Sequence, residues 1–292
     1  MDENTWFWKK DIRADGVLIS YDVLQSKAGL LNPKTDIKKF LGFNGFVIID
    51  SGAFGSSVET DPIVVYETQK RLNPDIAILL DKIPAKNSTP QSEKKDIDTT
   101  LKNASIVRRI NRGKIFLMAV VQGNDIKKLE YCAKNLAELN FKMIGIPLSG
   151  FSKHRQYEAA LMKVAVIKKY FKKGTILHAL GCGSRTLIAI LSSMGVRFFD
   201  SSSFYKAAMM GEAVKEVTFC SVNKPNSKIE CKTCLKKQSA PKNFTDKSNY
   251  NLREIFKEVQ RCRCAIDLGL MDEYLQKRLS KYVYKKIRKH IQ

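Results

Sequence analysis

The run Asp50-Ser51-Gly52-Ala53-Phe54-Gly55 sets a carboxylate, a hydroxyl, two glycines and a phenyl ring directly after a short apolar stretch. An acid there can move protons, glycine lets backbone approach a ligand closely, and the ring can stack on a planar base. The same residues also make an ordinary turn. Asp81, Gln122 with Gly123, Ser149 and Asp200 each stand at or just after the end of another apolar run. One aspartate at such a place is usually a cap; polar residues after five different strands suggest a shared rim. Cys231 and Cys234, two residues apart, form a zinc half-site, because both thiolates can reach one tetrahedral ion.

Those residues need elements to hold them. Apolar β-rich runs fall at 17–20, 46–50, 76–80, 116–121, 143–148, 176–180, 196–200 and 217–221. Several are almost continuously apolar, as strands buried on both faces are. Helical patterns intervene at 61–72, 95–111, 126–139, 153–172, 184–194 and 204–211, and two more follow at 251–264 and 270–289. Eight strands separated mainly by helices predict an α/β protein, a (β/α)8 TIM-type barrel, with an open doubly wound sheet as the alternative. The polar segment 222–250 breaks the alternation and reads as an insertion, so 1–292 is expected to be one barrel domain carrying a 220–264 zinc-binding, basic subdomain.

The chain has 292 residues, a hydrophobic fraction of 44% and a net charge of +22. That apolar content builds a core and excludes a disordered chain, while the charge points to a polyanion or to a lysine-rich solvated surface. The final basic stretch with interleaved aromatics, 277–289, suits nucleic acid. No run is long enough to span a bilayer, and the acidic start does not read as an export signal. Seven cysteines, an odd number with five in the last quarter, suggest a reducing, cytoplasmic setting with some on a metal. Cys182 lies in a glycine-rich loop, and His178 reads as a hydrogen-bonded strand residue.

Further motifs can be placed in order: Tyr66-Glu67-Thr68-Gln69, Asp75-Ile76-Ala77 and Asp81, Val120-Val121-Gln122-Gly123, Gly145-Ile146-Pro147-Leu148-Ser149-Gly150, Leu180-Gly181-Cys182-Gly183, and Phe199-Asp200-Ser201-Ser202. Together with the run at 50–55 they resemble the tRNA-guanine transglycosylase family from about residue 46 to 212 and again in the cysteine segment. The resemblance implies a pentosyltransferase that exchanges guanine in a polynucleotide for a 7-deazaguanine. It places Asp200 as the nucleophile on the ribosyl C1′ and Asp50 as the acid/base. Ser51, Gly52, Gly123 and Gly145 would line the base site, Asp81 and Gln122 would read the base edge, and Phe54 and Leu180 would sandwich it. The chemistry is coherent: charge builds on the sugar as the glycosidic bond breaks, one carboxylate traps it, and a second acid protonates the leaving purine.

The family also implies a structural zinc ion. Cys231 and Cys234 keep two of its positions, but Ile229 stands in place of a cysteine and Tyr250 in place of a histidine. Cys220 is the best third ligand; Cys262 and Cys264 are further candidates, about 18 Å along a helix from Tyr250. These departures, and a length leaving no room for an appended RNA-binding domain, resemble the branch acting on DNA. DNA is therefore the favoured substrate and tRNA the alternative, with a base of preQ0 or preQ1 type, carrying a nitrile or an aminomethyl group, incoming. A homodimer or a partner subunit stays open, as does a catalytically silent, basic nucleic-acid-binding paralogue.

Overall fold

A computed structural model describes residues 7, 12, 14–25, 36–53, 60–113, 115–151, 156–213 and 243–291. Among these described residues are seven strands: β1 Gly16–Ile19, β2 Phe46–Ile49, β3 Ile76–Ile78, β4 Phe116–Val120, β5 Met143–Pro147, β6 Ile176–Leu180 and β7 Phe198–Phe199. They form one sheet in the order β1-β2-β3-β4-β5-β6-β7. The first four neighbouring pairs are parallel, with Leu18 opposite Ile48, Ala77 opposite Leu117 and Val120 opposite Gly145. A doubly wound sheet reverses its strand order at a switch point, whereas a barrel adds strands in sequence. The order observed is that of the barrel. The expected eighth strand, 217–221, and the cysteine insertion lie outside the described residues.

The helices are α1 Tyr21–Gln25, α2 Ile37–Leu41, α3 Pro62–Leu72, α4 Pro90–Asn111, α5 Ile126–Glu138, α6 Tyr157–Tyr170, α7 Arg185–Ser193, α8 Ser203–Met209, α9 Phe244–Asp267, α10 Met271–Arg278 and α11 Lys281–Ile291. Local chemistry sets many of their starts. The side chains of Asp61, Thr89, Asp125 and Ser184 accept hydrogen bonds from Ile63, Ser92, Lys128 and Leu187 N–H groups, and proline opens α3 and α4. Thr89 with Pro90 starts α4 more than a turn before the expected 95. The expected helix 270–289 is two helices, because Leu279 turns extended and the Ser280 hydroxyl accepts from Val283 N–H to begin α11. α1 and α2 were not anticipated; five residues each are too few to show a period.

The chain forms two compact units. One comprises 13–147 with 163–179. Its core is the apolar interior of β2 to β5 under α3, α4 and α5: Val47, Ile49, Ala77, Met118, Ala119, Met143 and Ile144 are fully buried.

The other unit comprises 1–12, 148–162 and 180–292. Among its described residues an ionic cluster joins α7, α9 and α10. Glu254 and Glu258 of α9 are wholly buried. Glu254 pairs with Arg185 at 3.2 Å and Lys257 at 2.7 Å. Glu258 takes Arg278 at 3.0 Å and the Tyr274 hydroxyl at 2.8 Å. Removing one partner would strand a buried charge, so the cluster fixes which helices meet more than it adds net stability. The pattern read α9 as 251–264 only, because 244–250 is continuous in polarity with the segment before it. The inward stripe carries Ser248, Asn251, Glu254, Lys257, Glu258 and Arg261, which hydropathy reads as solvent-facing.

Candidate active site

Within the first unit, the C-terminal ends of β2, β3 and β4 bring four of the expected residues together. Ser51, Asp81 and Gln122 are all buried. Asp81 is the hub: one carboxylate oxygen accepts from the Gln122 side-chain amide and the other faces the Ser51 hydroxyl at 3.5 Å. Burial pushes its carboxyl up from 3.8 to about 6, against the pull of those donors and with a further rise from the Asp50 charge. Asp50 follows β2 and is partly exposed. Its Oδ1 accepts backbone N–H bonds from Tyr21 at 2.7 Å and Gly52 at 3.0 Å. Burial nevertheless raises its pKa, with the Asp22 charge acting in the same direction. A carboxyl held so keeps its proton to higher pH than a solvated aspartate does.

Glycine at 52 is dictated by this arrangement. Its φ is +72°, and an added Cβ would lie 2.8 Å from Asp22 Oδ1. Gly123 follows Gln122, and Gly145 sits inside β5, with its carbonyl accepting from Val121 N–H at 3.1 Å. Phe54 falls outside the described residues.

Helix residues behind the sheet pin the strand ends, and the sequence had assigned them no role. The Gln69 side-chain amide on α3 donates to Asp50 O and Ile78 O, both at 2.9 Å. It thereby ties the ends of β2 and β3 where their ladder stops. On α4, Asn103 donates to Leu80 O at 3.2 Å and Thr100 accepts from Lys82 N–H at 2.8 Å, so both neighbours of Asp81 are held. Glu93 accepts from Asn124 N–H at 2.6 Å, and Lys163 Nζ reaches Gly123 O at 3.4 Å. Gln122 N–H itself donates to Cys132 Sγ at 3.3 Å. The available signal was a polar residue on a helix stripe otherwise apolar: Gln69 shares its face with Val65 and Leu72.

Within the second unit, Asp200 follows β7, and its Oδ1 accepts from Gly181 N–H at 3.1 Å, next to Leu180 at the end of β6. The loop beside it is closely built. An added Cβ at Gly183 would lie 2.1 Å from Ser203 Oγ and 2.2 Å from Ser201 Oγ, so no side chain fits there. Burial and the Asp200 charge push the Cys182 thiol up to about 12, which makes it an inert packing group.

The metal ligands expected at Cys220, Cys231 and Cys234 lie outside the described residues. Among the described residues no group of three or more His, Cys, Asp or Glu could hold a metal. Cys262 is buried on α9, where the Ser192 side chain hydrogen-bonds it and desolvation lifts its thiol to about 12. Tyr250 and Asn251, expected at a helix opening, lie in the second turn of α9, where Asn251 donates to Phe204 O and Glu212 O.

Asp81 and Gln122 form a buried carboxylate–amide pair beside Asp50 in the first unit, and Asp200 follows β7 in the second. The sequence model of the queuine tRNA-ribosyltransferase family matches residues 19–284. The chain belongs to this family. The family is one of pentosyl-transferring enzymes. Among similar curated proteins, the tRNA-guanine(15) transglycosylase of Methanocaldococcus jannaschii is 26% identical over 285 residues, covering 87% of this chain and 43% of that protein. The corresponding protein of Aeropyrum pernix is 29% identical over 217 residues, 70% of this chain and 42% of its own. The chain thus spans about two fifths of the length of these relatives.

Proposed function

We propose that this chain exchanges a guanine of tRNA for a 7-deazaguanine base through a covalent enzyme–nucleoside intermediate. The Asp200 carboxylate attacks the ribosyl C1′ as the bond to guanine breaks, and the Asp50 carboxyl gives its proton to the departing base. The incoming base returns a proton to Asp50 and displaces Asp200 from C1′, which restores both groups. Asp81, as a carboxylate, accepts from the N–H groups on the purine edge, Gln122 complements it, and Phe54 and Leu180 cover the ring faces. A target inside a stacked loop must be flipped out at a cost of a few kcal/mol, offset by those stacking and edge contacts.

The observation that carries this reading is the buried Asp81–Gln122 pair, with Asp50 close enough for its charge to raise Asp81. Burying an ionisable edge of this kind, with no ion pair to it among the described residues, suits a site that awaits a donor-rich ligand. The choice of tRNA over the DNA expected from the motif departures rests on the relatives, whose names specify tRNA. Incubation with labelled guanine and either bulk tRNA or duplex DNA is expected to label tRNA. Label in DNA alone would reverse the substrate choice, and label in neither would favour the silent, nucleic-acid-binding paralogue.

Zinc belongs to the same reading. Cys231 and Cys234, with Cys220, would hold it and stiffen a segment with few apolar residues of its own; the ion would supply structure rather than chemistry. About one zinc per chain is expected by elemental analysis, with loss in Cys231→Ala. Equal, negligible content in both proteins would remove the site.

A further inference from the structure

α11 is the most one-sidedly charged element among the described residues. It contains Lys281, Lys285, Lys286, Arg288 and Lys289 and no acidic residue. At 100° per residue these five cations, with Tyr282, fall on one arc of less than half a turn. All six are exposed, and Tyr282 is 74% exposed. The opposite side is used for packing: Ile287 is 1% exposed, and Val283 and Tyr284 are partly covered. The helix is anchored at its start by the Ser280 cap and by Tyr284, whose hydroxyl donates to Asp272 Oδ1 at 2.6 Å.

Among the described residues, one carboxylate forms ion pairs with this surface. Glu158, in the first turn of α6, pairs with Lys286 at 2.5 Å and approaches Lys289 at 3.7 Å. Lys281, Lys285 and Arg288 make no ion pair among the described residues and form a stripe about 10 Å long along the helix. A basic amphipathic helix can also lie on an anionic membrane, but only if its apolar face is free to enter the lipid. Here that face is occupied by the protein. What remains outward is cationic, with one aromatic ring in its midst, which matches phosphates and an unpaired base.

We propose that the outward face of α11 is a docking surface for the phosphodiester backbone of the polynucleotide substrate, gated in strength by Glu158. The class of partner rests on the transglycosylase reading; the surface itself rests on the helix.

The test measures tRNA binding to the full chain by fluorescence anisotropy between 50 and about 300 mM salt, the range over which counterion release dominates. Three proteins are compared: wild type, the triple variant Lys281→Gln/Lys285→Gln/Arg288→Gln, and Glu158→Gln. The triple variant is expected to bind at least about tenfold more weakly at low salt, with a salt slope shallower by about two to three units. Glu158→Gln is expected to bind more tightly and more steeply with salt, because it frees Lys286 and Lys289. Opposite shifts from two surface changes cannot both come from misfolding. Unchanged slopes in a wild type that still exchanges guanine would overturn the surface and spare the catalytic reading. α11-dependent binding without exchange would do the reverse. Wild-type binding to anionic vesicles but not to tRNA would overturn the surface as a nucleic-acid site.

Discussion

Asp200→Asn is expected to abolish base exchange, by at least about a thousandfold, while leaving the fold intact. The structure separates these two effects. Asp200 Oδ1 accepts from Gly181 N–H at 3.1 Å, and an asparagine carbonyl oxygen can accept the same bond. Thermal unfolding should therefore hardly move. What asparagine lacks is the charged second oxygen able to attack C1′ and leave again as a carboxylate. The direct measurement is a denaturing gel of enzyme mixed with tRNA. Wild type should give a retarded protein–RNA adduct, and Asp200→Asn none. An adduct of normal yield in the variant would move the nucleophile elsewhere, whatever the exchange rate did.

Much of this was readable beforehand because the strands are simple. Runs such as IAILL and FLMAVV are almost wholly apolar, so the parallel β3 and β4 announce themselves, and the polar residues closing them can only lie at or beyond the strand ends. Hence Asp81 and Gln122 could be placed by pattern alone. Two kinds of residue escaped. Gln69, Thr100 and Asn103 do their work by holding backbone carbonyls and N–H groups at the ends of β2 and β3, and nothing in a one-dimensional pattern says which backbone group lacks a partner. In the other unit, α9 buries charge against charge, so Glu254 and Lys257 look like solvent-facing residues until their partners on α7 and α10 are known. Hydropathy reads burial only where burial is apolar. The same limit hid the break at Leu279 and Ser280, since the polarity of 270–289 is continuous across it.

Asp81 should reveal its function through a stability it forfeits. Its carboxyl sits at about 6 in the folded chain against 3.8 in an ordinary setting. Between those values the folded chain keeps a proton that the unfolded chain has released. The contribution to stability is therefore complete below about pH 4 and is lost as pH rises through about 6. Asp81→Asn keeps an acceptor oxygen for Gln122, its NH2 can donate to the Ser51 hydroxyl oxygen, and it never ionises, so its stability should lack this dependence. Relative to the variant, wild type should lose about 3 kcal/mol between pH 4 and pH 7, an order-of-magnitude figure from two pKa units. Chemical unfolding across that range checks it, and parallel curves for the two proteins would remove the buried charge from the account. Activity should move in the opposite sense. Donors on a purine edge need the ionised carboxylate, so KM for the base should rise in wild type as pH falls below about 6, while the neutral variant binds the base poorly throughout. A residue that weakens the fold at the pH where it serves the substrate is the mark of a site kept for chemistry. Gln69, Thr100 and Asn103 then hold the strand ends in place around a charge that the interior disfavours.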